Sequence, residues 1–358
     1  MWKARHTRLK KFVALKLLPL EKTADAAAVA RFNREMEAVG ALRHPHIIEA
    51  HDAGEEHGTH YLVMEFVEGD DVGAIAKRVG PFPIADACEI VRQTALGLQH
   101  AHEHDLVHRD IKPTNLLLTT TDPPRSRSRE TSDPGARETS DLSSRSRSRE
   151  TSDPTARTLT SSATPSPTPS TCTIKILDLG LALLHGDQPG DELTSTGQVM
   201  GTLDYIAPEQ LADTHGVDIR ADLYSLGCTL FRLIAGEPPF SSATLNTAAR
   251  KMFAHSFTPP PKLIDRRSDV PPELSALVDR LLAKKPDERF ATPSELATAL
   301  APFCVGHNLP ALLHAEPIAT PSDPFASTIV PANVAITAPR DEPRATDAES
   351  QVGWVESS

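Results

Sequence analysis

Two short apolar runs, Leu116-Leu117-Leu118 and Ile174-Lys175-Ile176-Leu177, stand on either side of a long stretch with almost nothing to bury. Arg125–Pro134 and Arg145–Pro154 are the same decapeptide, RSRSRETSDP, with a partial copy from Arg137 to Asp141 between them. Thr158–Thr171 continues the stretch in Ser, Thr and Pro. Apolar side chains are too few to offset the entropy of ordering, so residues 119–172 are expected to be disordered. The flanking runs then read as two strands of a hairpin with an enlarged loop. Loop entropy grows logarithmically, and going from ~4 to ~54 residues costs roughly 2 kcal/mol. One fold can carry that insert.

Composition narrows the class. A chain of 358 residues holds one large or two modest domains, and many of its 31 prolines fall in residues 119–172 and 254–343. A net charge of -11 argues against nucleic acid as a partner, because phosphate binding wants basic faces. The four cysteines, Cys88, Cys172, Cys228 and Cys304, lie far apart without a C-x-x-C pair. That spacing suits a reducing compartment and offers no zinc pattern. Basic residues before Phe12–Leu18 and the small residues Ala28-Val29-Ala30 imitate a secretory signal, but Lys16 interrupts the apolar run. No stretch reaches the ~20 apolar residues of a membrane helix, so a cytoplasmic protein without a membrane segment is expected.

Periodicity supplies the elements. Val13–Leu18 reads as a strand, and a helix follows from Thr23 or Asp25 to Gly40 with Val29, Phe32, Met36 and Val39 on one stripe. Strands flank Gly54 and Gly58, the second being Tyr61–Phe66. Ala87, Ile90, Val91, Thr94, Leu98 and Ala101 mark a long helix leading into His108. Asp222–Ala235 reads as a buried helix with Leu223, Leu226, Leu230 and Ile234 on one side. Thr292-Pro293-Ser294-Glu295 has the form of a capping box.

Chemistry gathers at the edges of the insert. His108-Arg109-Asp110-Ile111-Lys112-Pro113-Thr114-Asn115 puts a base, a cation and an amide on one tight loop, and Asp178-Leu179-Gly180 adds a carboxylate beyond the repeats. Phosphoryl transfer needs those groups close together, since its catalysis is mostly positioning and charge neutralisation. Further upstream, Glu35 sits at the edge of its helix's apolar stripe. A carboxylate turned inward there needs a cation, and Lys16 is available; an ordinary surface glutamate is the alternative.

These motifs, with Val13-Ala14-Leu15-Lys16 before them and Gly201–Glu209 after, resemble the protein-kinase superfamily, closest to the bacterial eukaryotic-like (Hanks-type) Ser/Thr protein kinases. The resemblance implies an α+β bilobal fold: a β-rich small lobe over residues 1–67 and a helical lobe over 68–304, interrupted by the insert. Residues 305–358 would be a disordered tail. It implies ATP and Mg²⁺, with Lys16 on the α- and β-phosphates, Glu35 as its partner, and Asn115 and Asp178 as metal ligands. Asp110 would be the catalytic base and Lys112 would lie against the γ-phosphate. Backbone groups of Glu65 and Val67 would bind the adenine edge, with Ala14 and Leu117 about the ring. Glu209 is expected to pair with Arg289. Arg109 beside the base implies activation by phosphorylation at Thr194 or Thr196, which are otherwise ordinary loop hydroxyls. Protein substrates with Ser or Thr are the implied partners, together with a second copy of the chain for trans-autophosphorylation.

One family motif is not found. Gly40 is the first glycine, so no Gly-rich loop precedes Val13, and an N-terminal truncation before or within that strand pair is the expectation. An unpaired strand edge on the small lobe and loosely held ATP would follow. A catalytically impaired pseudokinase or binding scaffold is therefore the alternative function.

Overall fold

The computed structural model describes residues 1–17, 36–57, 59–121, 171–179, 201–212, 217–242, 244–317 and 354–356. Most of the insert, residues 122–170, lies outside them. The first sheet contains Trp2–His6 (β1), Phe12–Leu17 (β2), Ala50–Glu56 (β3) and Thr59–Glu65 (β4), in the order β3-β4-β2-β1 with antiparallel pairing throughout. Alternation along β2 decides which side chains reach the cleft. Val13 packs with Ala4 and Val63 on one face, while Ala14 joins Met36, Ile48, Leu62 and Met64 on the other. Lys16, two residues on, shares the face of Ala14.

Asp70–Asp71 (β5), Leu116–Thr121 (β6) and Thr171–Ile176 (β7) form a second sheet in that order. Strand structure runs to Thr121 and resumes at Thr171, which corrects the expected limits of the insert. Thr119 is buried, and its hydroxyl donates to the Glu68 carbonyl at 2.8 Å, so this residue belongs to the core.

Helices build the rest: Val72–Val79 (α1), Ile84–His102 (α2), Pro208–Ala212 (α3), Arg220–Ala235 (α4), Ala248–Phe257 (α5), Leu263–Arg266 (α6), Pro272–Leu281 (α7), Pro293–Leu300 (α8) and Leu309–His314 (α9). Residues 36–41 are also helical, and the expected start of that helix lies outside the described residues. In α2 all six stripe residues are fully buried. Gly97 allows its close approach, because a Cβ there would meet Ile176 Cδ1 at 2.7 Å and the His46 carbonyl at 3.0 Å. Helix α4 is buried on every side rather than on the one expected, as suits the central helix of a lobe. Its end is set by Gly236 at φ 87°, a left-handed cap that glycine adopts without strain.

Two expectations for the termini need correction. The 305–358 segment is not all tail: Leu309 and Leu312 of α9 are buried in the core, and the Asn308 N–H donates to Asp86. Arg78 also donates to the carbonyls of Leu312 and Leu313 at 3.2 Å each. The outer edge of β1 is not open either, since Trp354–Glu356 (β8) pairs with Ala4–His6 in antiparallel register. Thr292 caps α8 as expected, but the Glu295 carboxylate returns to the Ala291 N–H at 2.9 Å and not to that of Thr292.

Candidate active site

The His108–Asn115 loop is built around a buried carboxylate that the sequence pattern did not single out. Asp222, in the first turn of α4, accepts the backbone N–H groups of His108 at 2.8 Å and Arg109 at 2.7 Å. Burial pushes its carboxyl pKa up, against the pull of those donors. His108 is itself fully buried and bonds the Leu177 carbonyl at 2.8 Å, tying this loop to the residue before Asp178. The Asp110 N–H lies 3.2 Å from His108 Nδ1, which fixes that nitrogen as acceptor and the other as donor. Gln210 then donates to the Arg109 carbonyl at 2.9 Å.

On this frame the polar side chains converge. Lys112 Nζ lies 2.8 Å from Asp110 Oδ2 and 2.9 Å from the Thr202 hydroxyl. Asn115 Nδ2 donates to the Asp110 carbonyl at 2.8 Å and to Asp110 Oδ2 at 3.0 Å, leaving the amide oxygen to face elsewhere. Across the cleft, Lys16 Nζ sits 2.8 Å from Asp178 Oδ1. Arg109 and Asp178 both hold left-handed backbone, at φ 66° and 57°. For non-glycine residues that conformation costs of order 1–3 kcal/mol and persists only where surrounding contacts enforce it, most often at functional sites.

Arg289 is buried and grips Glu209 with two parallel bonds, at 2.6 and 2.8 Å. Carbonyls of Arg220, Ala283 and Lys284 take its remaining donors, so the guanidinium is fully engaged. Arg109 contrasts with it. Its Nε and Nη1 are buried without a hydrogen-bond partner among the described residues.

Of the adenine-side residues, Ala14 is buried beside Met64, and Val67 and Leu177 pack on the same cluster. Leu117 is half-buried on β6 opposite Asp71. Glu65 ends β4, with its N–H on the Glu49 carbonyl at 2.9 Å. Glu35, Thr194 and Thr196 lie outside the described residues. Among the described residues no three His, Cys, Asp or Glu side chains gather into a metal cage. A cation here would have the Asn115 amide and Asp178 carboxylate oxygens, a hard donor pair suited to Mg²⁺ when phosphate and water complete the shell.

Thr202 and Asp222 went unassigned in the sequence. Thr202 stands in the quoted Gly201–Glu209 run, but its hydroxyl meets Lys112 across 90 residues of chain, a contact that only the structure shows. Asp222 looked like an ordinary acidic residue in a helix's first turn; only burial distinguishes it.

Comparison with known proteins agrees with this geometry. The protein kinase domain family model matches residues 1–129 and 163–300, passing over part of the insert. Serine/threonine-protein kinase PknB of Mycolicibacterium smegmatis is 31% identical over 301 residues, covering 83% of this chain and 39% of PknB. PknF of Mycobacterium tuberculosis is 33% identical over 308 residues, covering 86% of this chain and 52% of PknF. The chain thus spans about half the length or less of these two relatives. Among solved structures, the Mycobacterium tuberculosis PknI kinase domain is 28% identical with a TM-score of 0.55, covering 84% of this chain and 89% of that one. Rad53 1-466, crystallised with AMP-PNP, shares the fold at 23% identity and a TM-score of 0.53, covering 83% of this chain and 59% of that one. With the family model matching most of its length and the ordered motifs converging on one cleft, the chain belongs to the protein kinase family, in its bacterial Hanks-type serine/threonine branch.

Proposed function

We propose that this chain transfers the γ-phosphoryl group of ATP to Ser and Thr hydroxyls of protein substrates. The observation that carries the reading is the convergence of Asp110, Lys112, Asn115 and Thr202 on one loop face, opposite the Lys16–Asp178 pair. The substrate hydroxyl oxygen forms the new bond to phosphorus as the bridging β–γ bond breaks and ADP leaves. Asp110 takes the hydroxyl proton on a carboxylate oxygen, or orients that hydroxyl for attack. Lys112 offsets the charge on the transferring group while Thr202 holds its ammonium in place. Lys16 binds the α- and β-phosphates, with Glu35 as the partner that frees it from Asp178. Mg²⁺, held by Asn115 and Asp178, supplies charge neutralisation on the phosphates when bound. Backbone groups of Glu65 and Val67 take the adenine edge, between Ala14 and Leu117.

Arg109 carries the regulatory part. A buried guanidinium with two unbonded nitrogens beside the base suits a phosphate, and phosphorylated Thr194 or Thr196 would supply one by trans-autophosphorylation between two copies. A cytoplasmic protein fits this reading, because ATP is abundant there. Four free thiols fit a reducing compartment, and among the described residues no helix is long and apolar enough to cross a membrane.

The test is phosphotransfer from γ-labelled ATP to a generic Ser/Thr protein substrate. Asp110→Asn should lower kcat by about 10²–10⁴-fold and leave ATP binding intact. Asp178→Ala should instead weaken metal-dependent nucleotide binding. Equal turnover by Asp110→Asn and the parent would exclude the assigned base. ATP binding by the parent without any turnover would favour a scaffold.

A further inference from the structure

The side chain of Glu65 enters a polar junction outside the proposed catalytic set. Its Oε1 accepts the Glu49 N–H at 3.0 Å and the Lys175 ammonium at 2.5 Å. Lys175 also reaches the Ile47 carbonyl at 3.3 Å. One carboxylate oxygen therefore joins three segments: the end of β4, residues 47–49, and β7.

The same three segments are stitched by backbone bonds. Ile48 N–H donates to the Ile176 carbonyl at 3.0 Å, and Ile176 N–H to the His46 carbonyl at 2.9 Å. Leu177 N–H then donates to the Asn115 carbonyl at 2.9 Å, one residue before Asp178. Lys175 and Glu65 keep only 17% and 24% of their side-chain surface exposed, so this pair is shielded better than an open surface bridge. Two donors on one carboxylate oxygen fix its rotamer, and through it the backbone of Glu65.

We infer that Glu65 and Lys175 are a positioning pair, which sets the distance between the adenine-binding backbone of residues 65–67 and the phosphate-side residues Asp178 and Asn115. The inference rests on the nucleotide site proposed above. It gives Lys175, which touches neither base nor phosphate, a role in ATP affinity. If the pair is broken, the end of β4 and β7 shift relative to each other and ATP no longer fits both ends of its site. Turnover of a bound complex depends on Asp110 and Lys112, whose loop has its own anchor in the Asp222 carboxylate.

The experiment uses the full chain and measures KM for ATP, kcat and the Kd of AMP-PNP for the parent, Lys175→Met, Lys175→Arg and Glu65→Gln. Lys175→Met should raise both KM and Kd three- to tenfold with kcat within twofold. Lys175→Arg, which keeps the charge, should recover most of the affinity. Glu65→Gln retains an acceptor for the Glu49 N–H and should fall between, giving a reading if Lys175→Met fails to fold. Unchanged KM and Kd in a thermally weakened Lys175→Met would overturn the inference, leaving the pair a stabiliser only. A rise in kcat at constant KM would also overturn it, because the pair would then restrain turnover. A parent that binds no AMP-PNP would instead remove the nucleotide site itself.

Discussion

The two lobes bury their side chains on very different scales. Among the described residues of the small lobe, Ala4, Val13 and Val63 cluster on one face of the sheet and Ala14, Met36, Ile48, Leu62 and Met64 on the other, while Val39, Leu42 and Ile47 join the larger core. Trp2, Phe12 and Leu17 on its first two strands, and Leu9 in the turn between them, remain exposed. The helical lobe gathers α1, α2, α4, α7 and α8 into one continuous core, with Tyr224 and Phe231 fully buried at its centre. The groups proposed for catalysis are divided between them. The loop of Asp110, Lys112 and Asn115 is anchored to the deep lobe through Asp222, whereas Lys16 stands on β2 of the small lobe. Fewer buried apolar contacts lower the free energy of local opening, so the small lobe is expected to open more readily than the helical one.

Breaking the deep lobe should cost most. Arg289→Met removes the cation from a buried bidentate pair, leaving Glu209 and three backbone carbonyls without their donor. About 3–5 kcal/mol of stability should be lost, read as a lower urea midpoint. A loss near zero would mean that the frame does not depend on this pair, and the contrast between lobes would weaken.

Acid should break the same lobe by another route. His255 is buried, bonded through Nδ1 to the Tyr224 hydroxyl at 2.9 Å, and burial, then Lys284 and Lys251, lower its pKa from 6.5 to about 3. Between those values the unfolded chain binds a proton that the folded chain does not. Stability therefore falls as pH drops below 6.5, by a few kcal/mol at most when pH 3 is approached (a rough figure). His44, half-buried and stacked on His100, is lowered to about 4 and adds a smaller loss of the same sign. Buried Asp86 and Asp222 and half-buried Asp204, whose pKa values are raised, oppose it in the lower part of the window. The difference between parent and His255→Asn isolates the histidine, and the variant's stability should slope less with pH. Identical slopes would remove His255 as the cause.

The smallest effect should come from the insert. Replacing residues 122–170 by a short turn shortens the loop between β6 and β7, with a gain of about 2 kcal/mol or less and activity within a few-fold. Thermal melts and turnover of the deletion variant check this. Loss of folding or ATP binding would give the insert a part in the frame.

Much of the site was legible because its chemistry is local. His108–Asn115 is a single loop, and phosphoryl transfer restricts which side chains can stand at each place in it. Lys16 and Asp178 could each be assigned from a short motif with a recognisable setting. The expected partner of Lys16 was Glu35, which lies outside the described residues, and the ion pair with Asp178 came only from the structure. The boundaries were less legible. Thr119 and α9 are polar or short in sequence, and only their contacts with Glu68, Asp86 and Arg78 show them to be ordered.

By itself, then, the sequence determined the class of fold and pointed to candidate residues for phosphoryl transfer, because periodicity and reactive groups are properties of neighbouring residues. Only the tertiary structure decided which carboxylate holds the catalytic loop, which oxygen joins Glu65 to Lys175, and where the C-terminal residues dock. Asp222 and His108 are separated by more than a hundred residues of chain, and the energy of their bond comes from burial that no local pattern records.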